Sequence, residues 1–190
     1  MDFDIRDTEL DGVKLIKPFY TEDNRGYFLK SYEHDVFQSF GLATDFNEEF
    51  ISLSKKDVIR GLHIQSYKPQ TKFVRVIHGI IYDVVVDLRI SSPTFTKWMG
   101  FELSDNNHLG LWIPAGYAHG FRVMSGKAIV EYHCKGKYYK QYDTGIVWND
   151  PDLAINWGIA NPILTDKDSK LQLLSDYLNA QPREEYDLLH

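Results

Sequence analysis

The chain carries a single cysteine, Cys134, among its 190 residues. An internal disulfide framework is therefore impossible, and a reducing compartment is the default setting. No apolar run approaches the roughly 18 residues that a membrane-spanning helix needs. The opening segment, MDFDIRDTELDG, is acidic and lacks the apolar stretch of a secretory leader. A cytoplasmic protein without a membrane partner is expected. Basic residues are not in excess: 21 Lys and Arg stand against 27 Asp and Glu, a formal charge of −6. That balance argues against a nucleic-acid partner, which calls for a basic face, but it leaves room for a local anion pocket. There is no Pro/Ser/Gly-rich linker, no low-complexity tract and no clear repeat. One domain over residues 1–190 is expected.

Aromatic rings are plentiful, with 12 Tyr, 11 Phe and 4 Trp. They fit β structure or a face that contacts carbohydrate or nucleotide. SYEHDVFQSFG (31–41) sets Tyr32, Val36, Phe37 and Phe40 at helical spacing, and Gly41 is a natural stop. From about residue 45 to 160 the pattern is β. KFVRVIHGIIYDVVVDLR (72–89) reads as two strands broken at Gly79, GLWIPAG (110–116) and AIVEYHC (128–134) read as further strands, and SGK (125–127) reads as a hairpin turn. In the strand over 80–88 both faces are largely apolar, which predicts cover on both sides, by the barrel interior and by a second subunit. ILTDKDSKLQLLSDYL (163–178) predicts a C-terminal helix, with Thr165 and Asp168 in a capping arrangement. The fold class expected is mainly β, a sandwich or barrel flanked by short helices.

Two histidine segments carry the chemistry. Metal-binding cupin barrels hold a first motif of His-x-His followed by Glu and, after six residues, Gly, and a second motif of Pro-x-Gly-x-x-His. Here Pro114, Gly116 and His119 match the second motif, and His63 and Gly79 match the ends of the first. Gln65 stands in place of the second histidine, and Lys72 in place of the glutamate. An ammonium repels a divalent ion and an amide is a poor transition-metal ligand, so no metal and no cofactor are expected. A single such histidine reads most simply as a satisfied core group; two at this spacing with a lysine between them read as a site. A neutral imidazole is a base near pH 7. A lysine ammonium stabilises an enolate oxygen, and a tyrosine on the far side of a sugar ring can return a proton. The set suits proton abstraction beside a ketone and reprotonation on the other face.

The segments DNRGYF (23–28), RGLHIQ (60–65), KFVRVIHGIIYDVVVDLRISSPTF (72–95), LWIPAGYAHGF (111–121), GIVWND (145–150) and LTDKD (164–168) resemble the dTDP-4-dehydrorhamnose 3,5-epimerases, metal-free cupins of jelly-roll fold. The resemblance implies that His63 is the base and Asp168 its partner, that Lys72 stabilises the oxyanion at carbon 4, and that Tyr132 is the proton donor. It implies that His119 and Asp83 form a second pair lining the pocket, that Arg60 binds the diphosphate, and that Tyr138 lines the sugar site. It also implies a homodimer with exchanged N-terminal strands and a nucleotide-sugar substrate. Arg60 and His63 lie an odd number of positions apart, so a regular strand points them to opposite faces; a bulge at Gly61 would reset the parity.

Departures from the family fall on the nucleotide side. Arg25 is retained, but Thr21, Lys30, Glu48 and Phe50 replace a phenylalanine, a glutamate and a Gln-x-Asn pair at positions that contact nucleotide or sugar, partly from a neighbouring subunit. The substrate expected by default is dTDP-4-keto-6-deoxyglucose, inverted at carbons 3 and 5 or at carbon 3 alone. A GDP- or CDP-linked sugar, a 3,4-ketoisomerase, a non-catalytic sugar-binding cupin and a metal-dependent cupin are the alternatives.

Overall fold

The computed structural model describes residues 2–180. Thirteen short strands dominate it. The larger sheet contains β1 (Asp4–Asp7), β2 (Lys14–Lys17), β5 (Glu48–Lys55), β7 (Thr71–His78), β10 (Gly110–Ile113) and β12 (Lys127–Lys135), in the spatial order β1-β2-β10-β7-β12-β5. The smaller contains β6 (Ile59–Gln65), β8 (Ile80–Asp87), β9 (Trp98–Ser104), β11 (Tyr117–Val123) and β13 (Asp143–Gly145), in the order β13-β6-β11-β8-β9. β3 (Phe19–Asp23) and β4 (Gly26–Lys30) form a separate hairpin. Helices are short: α1 (His34–Ser39), α2 (Asp166–Ser169) and α3 (Leu174–Ala180). This is a jelly-roll barrel, the mainly β class that the pattern predicts.

Side chains from both sheets meet in one core. Val74, Val76, Leu111 and Val130 from the larger sheet pack with Ile81, Val85, Phe121 and Val123 from the smaller. Fully burying residues of this size contributes about 1.5–3 kcal/mol each. A second cluster fills the back of the smaller sheet, where Ile59, Leu62, Val84 and Val86 meet Leu153, Trp157, Leu174 and Tyr177. So the outer face of β8 is covered by the chain's own C-terminal segment, where the sequence suggested a second subunit. Phe37 of α1 packs against Phe73 and Trp112 on the outside of the larger sheet.

Several local expectations change. The helix expected over 31–41 covers only 34–39, although Gly41 does stop it: Gly41 N donates to Gln38 O and Leu42 N to Phe37 O, closing a Schellman motif. The barrel does not begin near residue 45, because β1 and β2 already belong to the larger sheet. The strand expected over 110–116 divides at Ile113, and β11 starts at Tyr117. The SGK segment is not a hairpin turn. It carries the chain from β11 in one sheet to β12 in the other, beside the equivalent corner at Gly79, and Met124 N donates to Ile80 O between them. The helix expected over 163–178 breaks into α2 and α3, because the intervening backbone bonds elsewhere. Val147 N donates to Gln172 O, and the buried Asp150 carboxylate accepts from Leu174 N, fixing the start of α3. The Thr165 cap is present, its hydroxyl accepting from Asp168 N at 3.1 Å.

Gly61 does reset the parity of β6. Between the pairs His119↔His63 and Phe121↔Arg60, β11 advances two residues while β6 advances three. Gly61 has φ +112°, and a Cβ there would lie 2.6 Å from both Gly120 Cα and His119 O. Gly61→Ala is accordingly expected to lower stability by about 2–3 kcal/mol in chemical denaturation. Gly126→Ala, whose Cβ would meet nothing within 4 Å, should stay within about 0.5 kcal/mol of the parent.

Candidate active site

The barrel interior opens into a cavity of about 390 Å³. The smaller sheet supplies Arg60, His63 and Gln65 from β6 and His119 from β11; the larger supplies Lys72 from β7, Tyr132 from β12, and Glu48 and Phe50 from β5. Tyr138, beyond β12, completes the mouth. Because of the bulge at Gly61, Arg60 and His63 share this cavity.

His63 Nε2 lies 2.6 Å from Asp168 Oδ1, across 105 residues of sequence. Asp168 is buried, which pushes its carboxyl up, but the bond from His63 and the Thr165 contact hold it below the ordinary carboxylate value. The carboxylate therefore accepts a hydrogen bond from Nε2–H, and Nδ1 is left with the lone pair. A second pair, His119 Nε2 with Asp83 Oδ2 at 2.8 Å, is buried on the adjacent strands β11 and β8. His119 and His63 are direct register partners.

Lys72 and Tyr132 face these histidines from the opposite sheet. Burial pulls the Lys72 ammonium below its ordinary pKa, while Cys134, Asp143 and Asp83 work against that shift. Among the described residues the Lys72 ammonium has no hydrogen-bond or ion-pair partner. Burial pushes the Tyr132 phenol well above its usual value, and the Asp83 carboxylate adds to this. Tyr132 therefore stays protonated and can donate. Its ring stacks on Phe50 at 4.7 Å and meets the His119 ring edge-on at 5.9 Å. Arg60 donates to Ser54 Oγ at 2.8 Å.

Gln65 gains a positive role beyond being a missing metal ligand. Its amide nitrogen donates to Lys68 O and Lys137 O, and its oxygen accepts from Tyr139 N. It ties two loops together beside Tyr138, whose backbone N–H donates to Glu48 Oε1 at 3.0 Å. Arg25 and Lys30 are not brought to the cavity. They sit on the β3–β4 hairpin with Thr21, Arg25 paired to Asp23 and Lys30 to Glu33. Sequence reasoning missed Asp143, which lines the cavity and accepts from the Tyr138 hydroxyl at 2.8 Å and from Lys167. It also missed Ser52, whose buried hydroxyl has no partner among the described residues, and the wall formed by Cys134. A lone Asp just after a tyrosine-rich stretch and a serine on an edge strand carry no spacing signal that could have marked them.

Fold and site together define a cupin-type barrel equipped for proton transfer, with a carboxylate-oriented imidazole on one wall and a lysine and a tyrosine on the other. The pattern of the family described as dTDP-4-dehydrorhamnose 3,5-epimerase matches residues 7–176. The chain belongs to that family. It is 45% identical over 164 residues to the dTDP-4-dehydrorhamnose 3,5-epimerase of Methanothermobacter thermautotrophicus, covering 85% of this chain and 89% of that protein. The crystal structure of the Bacillus anthracis dTDP-4-dehydrorhamnose 3,5-epimerase with TDP and PPi bound superimposes with a TM-score of 0.88 at 42% identity, over 91% of this chain and 100% of that one. The Legionella pneumophila dTDP-6-deoxy-D-glucose-3,5-epimerase, in complex with dTDP-4-keto-L-rhamnose, gives a TM-score of 0.88 at 39% identity, over 92% and 94% of the two chains. No helix among the described residues is long and apolar enough to cross a membrane.

Proposed function

We propose that this protein is an isomerase that inverts dTDP-4-keto-6-deoxyglucose at carbons 3 and 5. The observation that supports it most is the placing of His63 and Tyr132 on opposite walls of one cavity, joined by no hydrogen bond. A sugar ring lying between them has one face toward each. His63 Nδ1 takes the proton from the carbon beside the ketone. The bonding electrons move onto the carbon 4 oxygen, where Lys72 stabilises the enolate by charge and hydrogen bonding. Tyr132 returns a proton to the opposite face of the same carbon, and solvent restores both side chains. The second centre, on the other side of the ketone, follows by the same steps. Asp168 keeps the His63 proton on Nε2 throughout, the orienting role such carboxylates have beside imidazole bases. Arg60 meets the diphosphate, and the His119–Asp83 pair, Tyr138, Glu48 and Phe50 line the substrate.

The chain, residues 1–190, acts as one cytoplasmic domain, and two copies pair. Exchange of the β3–β4 hairpin brings Arg25 and Lys30 of one copy to the nucleotide end of the other's cavity. The open edge of the larger sheet supports this pairing: β5 ends the strand order and exposes Ile51 by 65% and Leu53 by 62%, an apolar edge that a monomer would leave prone to association.

The test offers dTDP-, GDP- and CDP-linked 4-keto-6-deoxy sugars in parallel in deuterated water. The expected result is turnover of the dTDP sugar with two solvent deuterons gained. A clear preference for another nucleotide, or one deuteron only, would overturn the substrate or the double inversion respectively.

A further inference from the structure

We infer that Lys68, Lys137 and Lys140 form a cationic rim that draws an anionic nucleotide sugar to the cavity mouth and speeds its capture. This rests on the epimerase reading above, because the ligand attracted is a nucleoside diphosphate ester.

The rim is built from two loops. The Gln65 amide nitrogen donates to Lys68 O and to Lys137 O, so both lysines are fastened to one buried side chain. Their chain neighbours Pro69 and Tyr138 line the cavity. Lys140 begins a single 3-10 turn, Lys140–Tyr142. That turn is tied to the first loop: Ser66 N donates to Tyr142 O at 2.9 Å, and the Tyr67 and Tyr142 rings meet at 4.9 Å. All three lysines are exposed, and none is among the residues that line the cavity.

The ammonium groups are held by rings and not by carboxylates. Lys68 Nζ lies 5.3 Å from the centre of the Tyr67 ring, and Lys137 Nζ lies 5.5 Å from that of Tyr139. An aromatic face positions a cation without cancelling its charge. Among the described residues none of the three ammonium groups has an ion-pair partner. By contrast Lys14, Lys135 and Lys167 each pair with a carboxylate, that of Asp7, Asp45 and Asp143. Of the carboxylates lining the cavity, Asp143 is thereby met, and Glu48 stands against the three free cations. The mouth is locally cationic in a chain whose formal charge is −6.

That contrast gives the rim its task. The net charge of the chain repels a diphosphate at long range. Uncompensated cations around a low-dielectric cleft focus the field there and can raise association rates by about 10- to 10³-fold. Rim charges of this kind change association and its salt dependence, whereas charges that contact the bound ligand change dissociation. Arg60 and Lys72, inside the cavity, belong to the second kind.

The experiment measures dTDP association and dissociation by stopped-flow fluorescence, and kcat on dTDP-4-keto-6-deoxyglucose, from low salt upward. In the triple variant Lys68→Gln, Lys137→Gln, Lys140→Gln, association at low salt is expected to fall about tenfold, with dissociation and kcat within about twofold of the parent. The deficit should close as salt approaches about 1 M, where the Debye length shrinks to ~3 Å. Arginine at the same three positions keeps the charge and should restore the parent association rate. If association does not fall, the inference fails while the epimerase reading stands. If dissociation accelerates or kcat drops instead, the lysines act on the bound complex, and the inference fails in the same way. If the unaltered protein neither binds dTDP nor turns over the dTDP sugar, the epimerase reading fails and takes this inference with it. An unchanged kcat and melting temperature in the variants separate these outcomes from misfolding.

Discussion

His63→Gln is expected to lower kcat by about 10²- to 10⁴-fold, the range for loss of a positioned general base, with the fold unchanged. Glutamine is the better replacement because its amide can still donate to Asp168. Alanine would leave that buried carboxylate, now 2.6 Å from Nε2, without its partner, and stability would fall with activity. Asp168→Asn tests the same pair from the other side. An amide can present its nitrogen to Nε2, which moves the imidazole proton to Nδ1 and blocks the base, so kcat should fall by about 10²-fold or more. The pair also has a pH signature. Asp168 is held below its ordinary value despite the opposing effect of burial. Its contribution to stability is complete above the ordinary carboxylate pKa and is lost as pH falls through the depressed one. Asp168→Asn should remove that part of the acid sensitivity. Steady-state kinetics with melting curves from pH 7 downward would measure both effects. A His63→Gln enzyme with unchanged turnover would mean that the base lies elsewhere.

Lys72→Met should move activity and stability in opposite directions. Without the cation the developing oxyanion loses its main stabilising charge, and kcat should fall about 10²- to 10³-fold, or ~3–4 kcal/mol. Yet Lys72 is a desolvated cation whose pKa burial pulls down, and it has no ion-pair partner among the described residues. A charge buried in that way destabilises the folded state. Methionine fills similar volume without it, so the melting temperature should hold or rise. Residual activity close to that of the parent would contradict the role of Lys72. A large fall in melting temperature would show that the ammonium is held by contacts that stabilise it.

Some of the site was legible in the chain because it depends on residue type at short range. Gln65 and Lys72 stand where metal ligands would, and that alone turns the reading from Lewis-acid to proton-transfer chemistry. The cap at Thr165 and the stop at Gly41 were legible for the same reason: each is a bond made within five residues. The break at Gly79 was read correctly, β7 ending at His78 and β8 starting at Ile80, but the corner at Ser125 misled, because a glycine-bearing turn between two strands looks alike whether the strands pair or separate into different sheets. The C-terminal helix misled because its apolar spacing is real, and Asp150 and Val147 break it from another part of the chain.

By itself the sequence determined the chemistry on offer: an imidazole, a lysine and a tyrosine in a β-rich chain, a cupin-like spacing, and ligands for metal replaced. Only the tertiary structure decided how these groups face one another. The register slip at Gly61 puts Arg60 beside His63, and the jelly-roll crossovers set His63 against Tyr132. The return of residue 168 to residue 63 supplies the buried carboxylate. Gln65, absent as a ligand in the sequence, became the tie between two loops. Each of these depends on strand pairing or packing between residues far apart in the chain, and such pairings follow from the burial of whole faces, which no short stretch of sequence encodes.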